Sequence, residues 1–276
     1  MKMKSVSYSL IMAFVLFSGC RAARTVSLES HYARLDEVSH DKWKALANKR
    51  VFFGHKSVGL EIIAGLNDVM KKYPAVRLDI RETTDPHSFD QPVFAHALLG
   101  ENTFSQSKIA AFQRIMESGV GQSVDIAFFK FCYVDIDHQT DLSALLENYA
   151  QVMESLTAQF PDTKFITFTM PLVSRLVGPK AQVKKMLGRL PHFFFDISHV
   201  QRSLYNDMVR ARFKGNLFDI AAVESRINES KKAVFKKNGM EYELLYRGYT
   251  HDGSHLNLVG RQIVAIELLL HLASIT

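Results

Sequence analysis

Short apolar runs alternate along the chain with longer segments whose apolar residues recur every three or four positions. Val51 to Phe53 is a brief run of strand formers that meets Gly54. From Val58 to Tyr73 the apolar positions are 58, 62, 63, 66, 69, 70 and 73, one face of a helix that Pro74 stops. Ala75 to Ile80 alternates and predicts a second strand. Thr83 to Asn102 is rich in Pro, Asp, His and Gly and reads as a long loop, and loops of that length in compact domains are often functional. Ile109, Phe112, Ile115 and Met116 mark a helix ended by Gly119. Val124 to Phe129 is nearly unbroken in apolar residues, as a central strand covered on both faces would be. Leu142, Leu145, Leu146, Tyr149, Val152, Met153 and Leu156 give the clearest helical stripe. Lys164 to Met170 predicts a strand ended by Pro171, helices follow over 179–190 and 198–213, and Asn216 to Ile220 is a fifth strand. Residues 224–246 are charged and irregular and receive no element. Val259, Ile263, Ile266 and Leu270 stripe a closing helix.

Strands alternating with helices of this length predict an α/β fold, three-layer α/β/α, with a five-stranded, mostly parallel sheet. No internal repeat or low-complexity segment interrupts it.

The N-terminus follows a different rule. Lys2 and Lys4 precede the apolar run Ser9 to Phe17, and Ser18-Gly19-Cys20 closes it with small residues and a cysteine. A basic start, a short apolar run and small residues form an export signal over 1–19, too short to span a bilayer. Cys20 in that place resembles the acylated cysteine of a bacterial lipoprotein, with cleavage without lipid as the alternative. The acyl chains would hold the protein to a membrane. Arg21 is not the aspartate that would suggest retention at an inner membrane, so the expected location is the cell envelope, on the periplasmic side of an outer membrane. Residues 20–40 are polar and mixed and read as a tether. Ser39 then caps a short amphipathic helix that leads into the single domain, expected over 41–276. No later segment is read as long and apolar enough to cross a bilayer.

Composition narrows the function. Removing the leader leaves 257 of 276 residues, enough for one domain with a proper core. The net charge of +6 falls to +4 without Lys2 and Lys4, and no basic run interleaves with aromatics, so nucleic acid is not an expected partner. There are two cysteines. With Cys20 lipidated, Cys132 has no disulfide partner, and a Cys-based metal site is excluded by count. The histidines show no pair spacing typical of a metal, so no metal or cofactor is expected.

Candidate chemistry sits at two places about two hundred residues apart. Ser57 follows the first strand and Gly54-His55-Lys56, where the chain turns into a helix. That position exposes a hydroxyl beside free helix N–H groups, although serine is also a favoured N-cap. Before the closing helix stands Asp252-Gly253-Ser254-His255-Leu256-Asn257. An aspartate three residues before a histidine can hold the imidazole Nδ1–H and leave Nε2 free to take a proton. The alternative is that Asp252 or Asn257 only caps the helix.

With these motifs in place the chain resembles the SGNH, or GDSL-like, hydrolases, from Val51 to the C-terminal helix, and the resemblance implies their flavodoxin-like architecture. It rests on the order Ser57, Gly100 in the long loop, then Asp252-x-x-His255. It implies Ser57 as nucleophile, His255 as base, Asp252 as its orienter, and the N–H groups of Ser57 and Gly100 as oxyanion donors. Two departures stand out. The family's Gly-Asp-Ser is Gly54-His55-Lys56-Ser57 here, with His55 and Lys56 as candidate contacts for an anionic or acetylated substrate. The asparagine expected after the central strand is absent from Phe129 to Asp135, and losing such a donor typically costs ~100 to 1000-fold. Asn102 and Lys130 are the candidates to replace it, Lys130 with the alternative of pairing with Asp135. The implied activity is an esterase acting through an acyl-enzyme on a small ester or an acetylated glycan. Two alternatives stay open: an O-acyltransferase, and an inactive envelope lipoprotein that keeps the fold and binds a glycan or protein.

Overall fold

The structure, a computed structural model, describes residues 27–176 and 179–276. The expected leader and Cys20 lie outside the described residues. Two short helices, α1 (Leu28–Leu35) and α2 (His40–Ala47), precede β1 (Arg50–His55) and α3 (Val58–Lys72). Then come β2 (Ile80–Glu82), β3 (Val93–Leu98), α4 (Ser105–Ile115), β4 (Ile126–Phe129), α5 (Leu142–Gln159) and β5 (Lys164–Phe168). The remainder is α6 (Pro179–Met186), α7 (Asp196–Arg212), β6 (Leu217–Phe218), α8 (Ile220–Ser225), β7 (Arg226–Asn228), β8 (Lys231–Lys232), β9 (Val234–Lys237), β10 (Met240–Glu243) and α9 (Leu258–Ile275).

The main sheet has six strands in the order β2-β3-β1-β4-β5-β6, every neighbour parallel. Without the short edge strand β2 this is the flavodoxin-like order, in which the chain leaves the first strand toward one edge and then crosses to the other. The crossing lies between β1 and β4, and the carboxyl ends of these two strands open the crevice where such sheets place their sites. The sheet separates two cores. Val51 and Phe53 on β1 join a core with α3 and α9, whereas Phe52 joins one with α4, α5 and α7. The two-residue period of a strand thus supplies both faces. Phe53 meets Phe128 at 5.0 Å and stacks on Phe168 at 6.1 Å, and Phe52 meets Phe112 at 6.3 Å. Cutting a ring so placed back to alanine costs ~3–5 kcal/mol.

Several expectations change. The polar stretch 20–40, read as a tether, contains α1, whose Tyr32 and Leu35 are buried in the α9 core. Its polar look comes from His31 and Arg34, which are held by Glu267 of α9. The long loop 83–102 hides β3, the inner neighbour of β1. Its sequence Val-Phe-Ala-His-Ala-Leu was masked by flanking Pro, Asp and Gly and by a buried His96. Of the strand expected over 75–80 only Ile80 is in a strand, β2, which runs on to Glu82, and with β3 the sheet counts six strands where five were expected. The unassigned 224–246 holds the end of α8 and two small antiparallel hairpins. Helix α9 is long and apolar enough, at a mean hydropathy of 1.6, to cross a membrane by composition. Here it lies in the core against α1, α2, α3 and α8, buried nearly all round, which is why one stripe understated it.

Candidate active site

Only Lys56 and Ser57 connect β1 to α3, so the turn is tight. Ser57 takes φ +50 and ψ −110, a region that residues with a Cβ rarely occupy. Its side chain makes no capping bond to α3. Instead Oγ lies 3.0 Å from His255 Nε2, across 198 residues of chain. The carbonyl of Lys56 accepts from Lys130 Nζ at 3.1 Å and from Cys132 Sγ at 3.4 Å, both buried groups. In a trans peptide the C=O and the next N–H point opposite ways. Pinning the Lys56 carbonyl inward therefore turns the Ser57 N–H away from that buried pair.

His255 Nδ1 lies 2.7 Å from Asp252 Oδ2. The other carboxylate oxygen accepts from the N–H groups of Ser254 and His255, each at 2.8 Å, and from the Ser254 hydroxyl at 3.1 Å. Burial alone would raise the Asp252 pKa, but the His255 and Ser254 N–H groups and the imidazole hold it well below the usual carboxylate range. An ionised carboxylate only accepts, so Nδ1 carries the proton and Nε2 is the free acceptor facing Ser57. Gly253 lets this turn close. It takes φ +96, and a Cβ there would meet Leu176 at 2.8 Å. Capping of α9 falls to Asn257, whose Oδ1 accepts from Val259 and Gly260 N–H. Asp252 is thus released from that role.

Two further side chains brace this chain of groups, and neither was singled out from the sequence. Glu61, one turn into α3, accepts from the Leu256 N–H at 2.8 Å and so ties the helix that follows Ser57 to the loop that carries His255. Burial raises its pKa, partly offset by the Leu256 N–H. Tyr133, four residues past β4, puts its hydroxyl 3.4 Å from His255 Nε2. Its ring meets His255 edge-on and packs against Phe193 at 5.2 Å, leaving it 5% exposed. Burial pushes its pKa up, so the phenol keeps its proton. It stands in the segment Phe129 to Asp135, where an asparagine was expected. The position at the end of the central strand was the only signal.

The other candidates separate. His55 is fully buried, its Nε2 3.1 Å from His96 Nδ1, and burial lowers its pKa to about 3. It cannot touch substrate as expected, because it is the last residue of β1 and points into the core. Lys56 Nζ donates to the Gly100 carbonyl at 2.6 Å, binding the Gly100 loop to the Ser57 turn. Lys130 is also buried, and it neither faces a substrate nor pairs with Asp135. Its Nζ props the Lys56 and Phe131 carbonyls. Asp135 belongs to Lys108, at 2.5 Å with both side chains fully buried. Lys108 also donates to Asn102 Oδ1 at 3.1 Å. Lysine only donates, so this bond fixes the Asn102 amide with its nitrogen as the remaining donor. Cys132 is a buried free thiol. Among the described residues no group of three or more His, Cys, Asp or Glu gathers as a metal set would.

No protein-family model matches the chain, and no curated protein sequence does. Among solved structures it is similar to a provisionally assigned platelet activating factor from Streptococcus pneumonia, with TM-score 0.49, 12% identity, and coverage of 89% of this chain and 97% of that one. A second is the periplasmic domain of a lipopolysaccharide acetyltransferase from Salmonella ser. Paratyphi A, with TM-score 0.43, 10% identity and coverage of 89% and 88%. A third is a provisionally assigned GDSL-like lipase from Parabacteroides merdae, with TM-score 0.47, 11% identity and coverage of 82% and 95%.

Proposed function

We propose that the chain is an SGNH-type serine hydrolase that cleaves a small ester, with O-acetyl groups on glycans as the substrate class. The observation that carries this is the unbroken run Ser57 Oγ, His255 Nε2, His255 Nδ1, Asp252 Oδ2, at 3.0 and 2.7 Å, on a serine held at positive φ. Strain of this kind costs of order 1–3 kcal/mol and is kept where a site needs it. In the reaction Ser57 Oγ attacks the ester carbonyl as its proton passes to His255 Nε2, while Asp252 steadies the imidazolium. The carbonyl oxygen becomes an oxyanion, received by the N–H groups of Ser57 and Gly100, with the Asn102 amide as a further donor. The inward-pinned Lys56 carbonyl and the Lys56–Gly100 bond support that assignment. Collapse expels the alcohol with the proton from Nε2, and water then repeats the cycle on the acyl-enzyme. Acyl transfer to a sugar hydroxyl would use the same groups.

The absence of an asparagine between Phe129 and Asp135 favours a second reading, a non-catalytic lipoprotein that binds a glycan or protein. The two part on one test. A fluorophosphonate probe should label the purified protein, and labelling should vanish in Ser57→Ala and His255→Ala. Failure of the wild-type protein to label, together with inertness toward acetate esters, refutes the hydrolase. Envelope anchoring through Cys20 belongs to the same proposal, and Cys20→Ser should abolish incorporation of labelled fatty acid.

A further inference from the structure

Two hydroxyls approach the one free nitrogen of His255. Ser57 Oγ stands 3.0 Å from Nε2 and the Tyr133 hydroxyl 3.4 Å. Once Nε2 has taken the serine proton it must return it to a different oxygen, that of the departing alcohol. That oxygen has to come within hydrogen-bond distance, about 3 Å, of Nε2. It enters the space that Tyr133 borders. The oxyanion forms on the far side of the attacked carbon, away from the histidine, so Tyr133 faces the other oxygen of the ester. The phenol cannot swing away, because Phe193 packs on its ring and Arg202 Nη1 donates to its carbonyl at 3.1 Å.

We propose that Tyr133 is a catalytic residue for the alcohol half of the ester, its hydroxyl donating to the leaving oxygen while His255 delivers the proton. This rests on the hydrolase reading of Ser57. In the first half-reaction the bond from carbon to the alkoxy oxygen breaks, its electron pair goes to that oxygen, and the proton on Nε2 passes to it. Tyr133 keeps its own proton and stabilises the developing charge. In the second half-reaction water occupies the same place and gives its proton to Nε2. An acceptor alcohol would sit there equally well.

The test compares acetate esters whose leaving groups grow steadily poorer, p-nitrophenyl, phenyl and ethyl, by kcat/KM, which reports acylation. A good leaving group needs little help and a poor one needs much. Tyr133→Phe should therefore lose about 100-fold more kcat/KM on ethyl acetate than on p-nitrophenyl acetate, the lower end of what acid–base assistance supplies. Activity on the activated ester shows that the variant is folded. An equal fall on all three esters would make Tyr133 a mere support for His255 and overturn the proposal, as would no fall on any. Fluorophosphonate labelling of wild type and Ser57→Ala runs alongside. If the wild type does not label, the hydrolase reading itself fails, a result distinct from a flat leaving-group series.

Discussion

The positive φ of Ser57 makes a measurable claim about stability. Ser57→Ala and Ser57→Gly both delete the Oγ bond to His255, so any difference between them reports the backbone alone. Alanine keeps a Cβ at φ +50 and ψ −110, where strain is worth about 1–3 kcal/mol, and glycine removes that strain. Glycine loses about 0.5–1 kcal/mol more conformational freedom on folding. The net expectation is that Ser57→Gly is more stable than Ser57→Ala by about 1 kcal/mol, and by no more than about 2.5. For a chain of this size the central value corresponds to roughly 2–4 °C in melting temperature. The sign is opposite to the usual preference for alanine over glycine in a helix interior. Ser57 makes no side-chain cap bond, so no capping loss confuses the comparison. Matched thermal and urea melts would decide it. If Ser57→Ala equals or exceeds Ser57→Gly, the turn is not strained and the site is not held in tension.

Asp252→Asn keeps the size of the side chain but turns an acceptor toward a donor at His255 Nδ1. It should lower kcat by ~100-fold or more with KM little changed, and a fall under 3-fold in ester hydrolysis would contradict the orienting role. Gly59→Ala should destabilise, because a Cβ there would lie 2.3 Å from His55 Cβ and Cγ, and neither the helix turn nor the buried ring can yield freely. A loss of about 1–3 kcal/mol in urea melts is expected, with reduced activity as the Ser57 turn shifts. Stability should also fall on both sides of neutrality. Burial lowers His55 and His199 to about 3, so below ~6.5 the unfolded chain takes up protons that the fold refuses. Stability present above ~6.5 is lost as the pH falls toward 3, by about 1.4 kcal/mol per pH unit for each histidine. Glu224 runs the other way. Burial raises it to about 8, so its favourable contribution, present below ~4.5, is lost as the pH rises through 8. Urea midpoints at pH 4, 6.5 and 9 test this, and a flat acid side would show that these imidazoles are not held neutral.

The sequence by itself determined the alternating architecture and both ends of the hydrogen-bonded chain. Apolar runs at Val51–Phe53 and Val124–Phe129, and helical stripes such as Leu142 to Leu156, report burial through a local period, which a linear reading can see. The Asp252-x-x-His255 contact is equally local, since one turn brings the two together. What tertiary structure decided is everything that depends on a neighbour distant in the chain. β3 could be recognised as an inner strand only when β1 lay beside it, because its ends are turn formers and its His96 is matched by His55. Lys130 and Lys108 look alike in sequence. Packing made one a prop beneath Lys56 and gave the other Asp135, because a buried charge must take whatever partner the fold brings close. Tyr133 is one tyrosine among nine until the end of β4 sets its hydroxyl beside His255. Residue type and local spacing fixed which groups could do chemistry, and three-dimensional proximity fixed which of them meet.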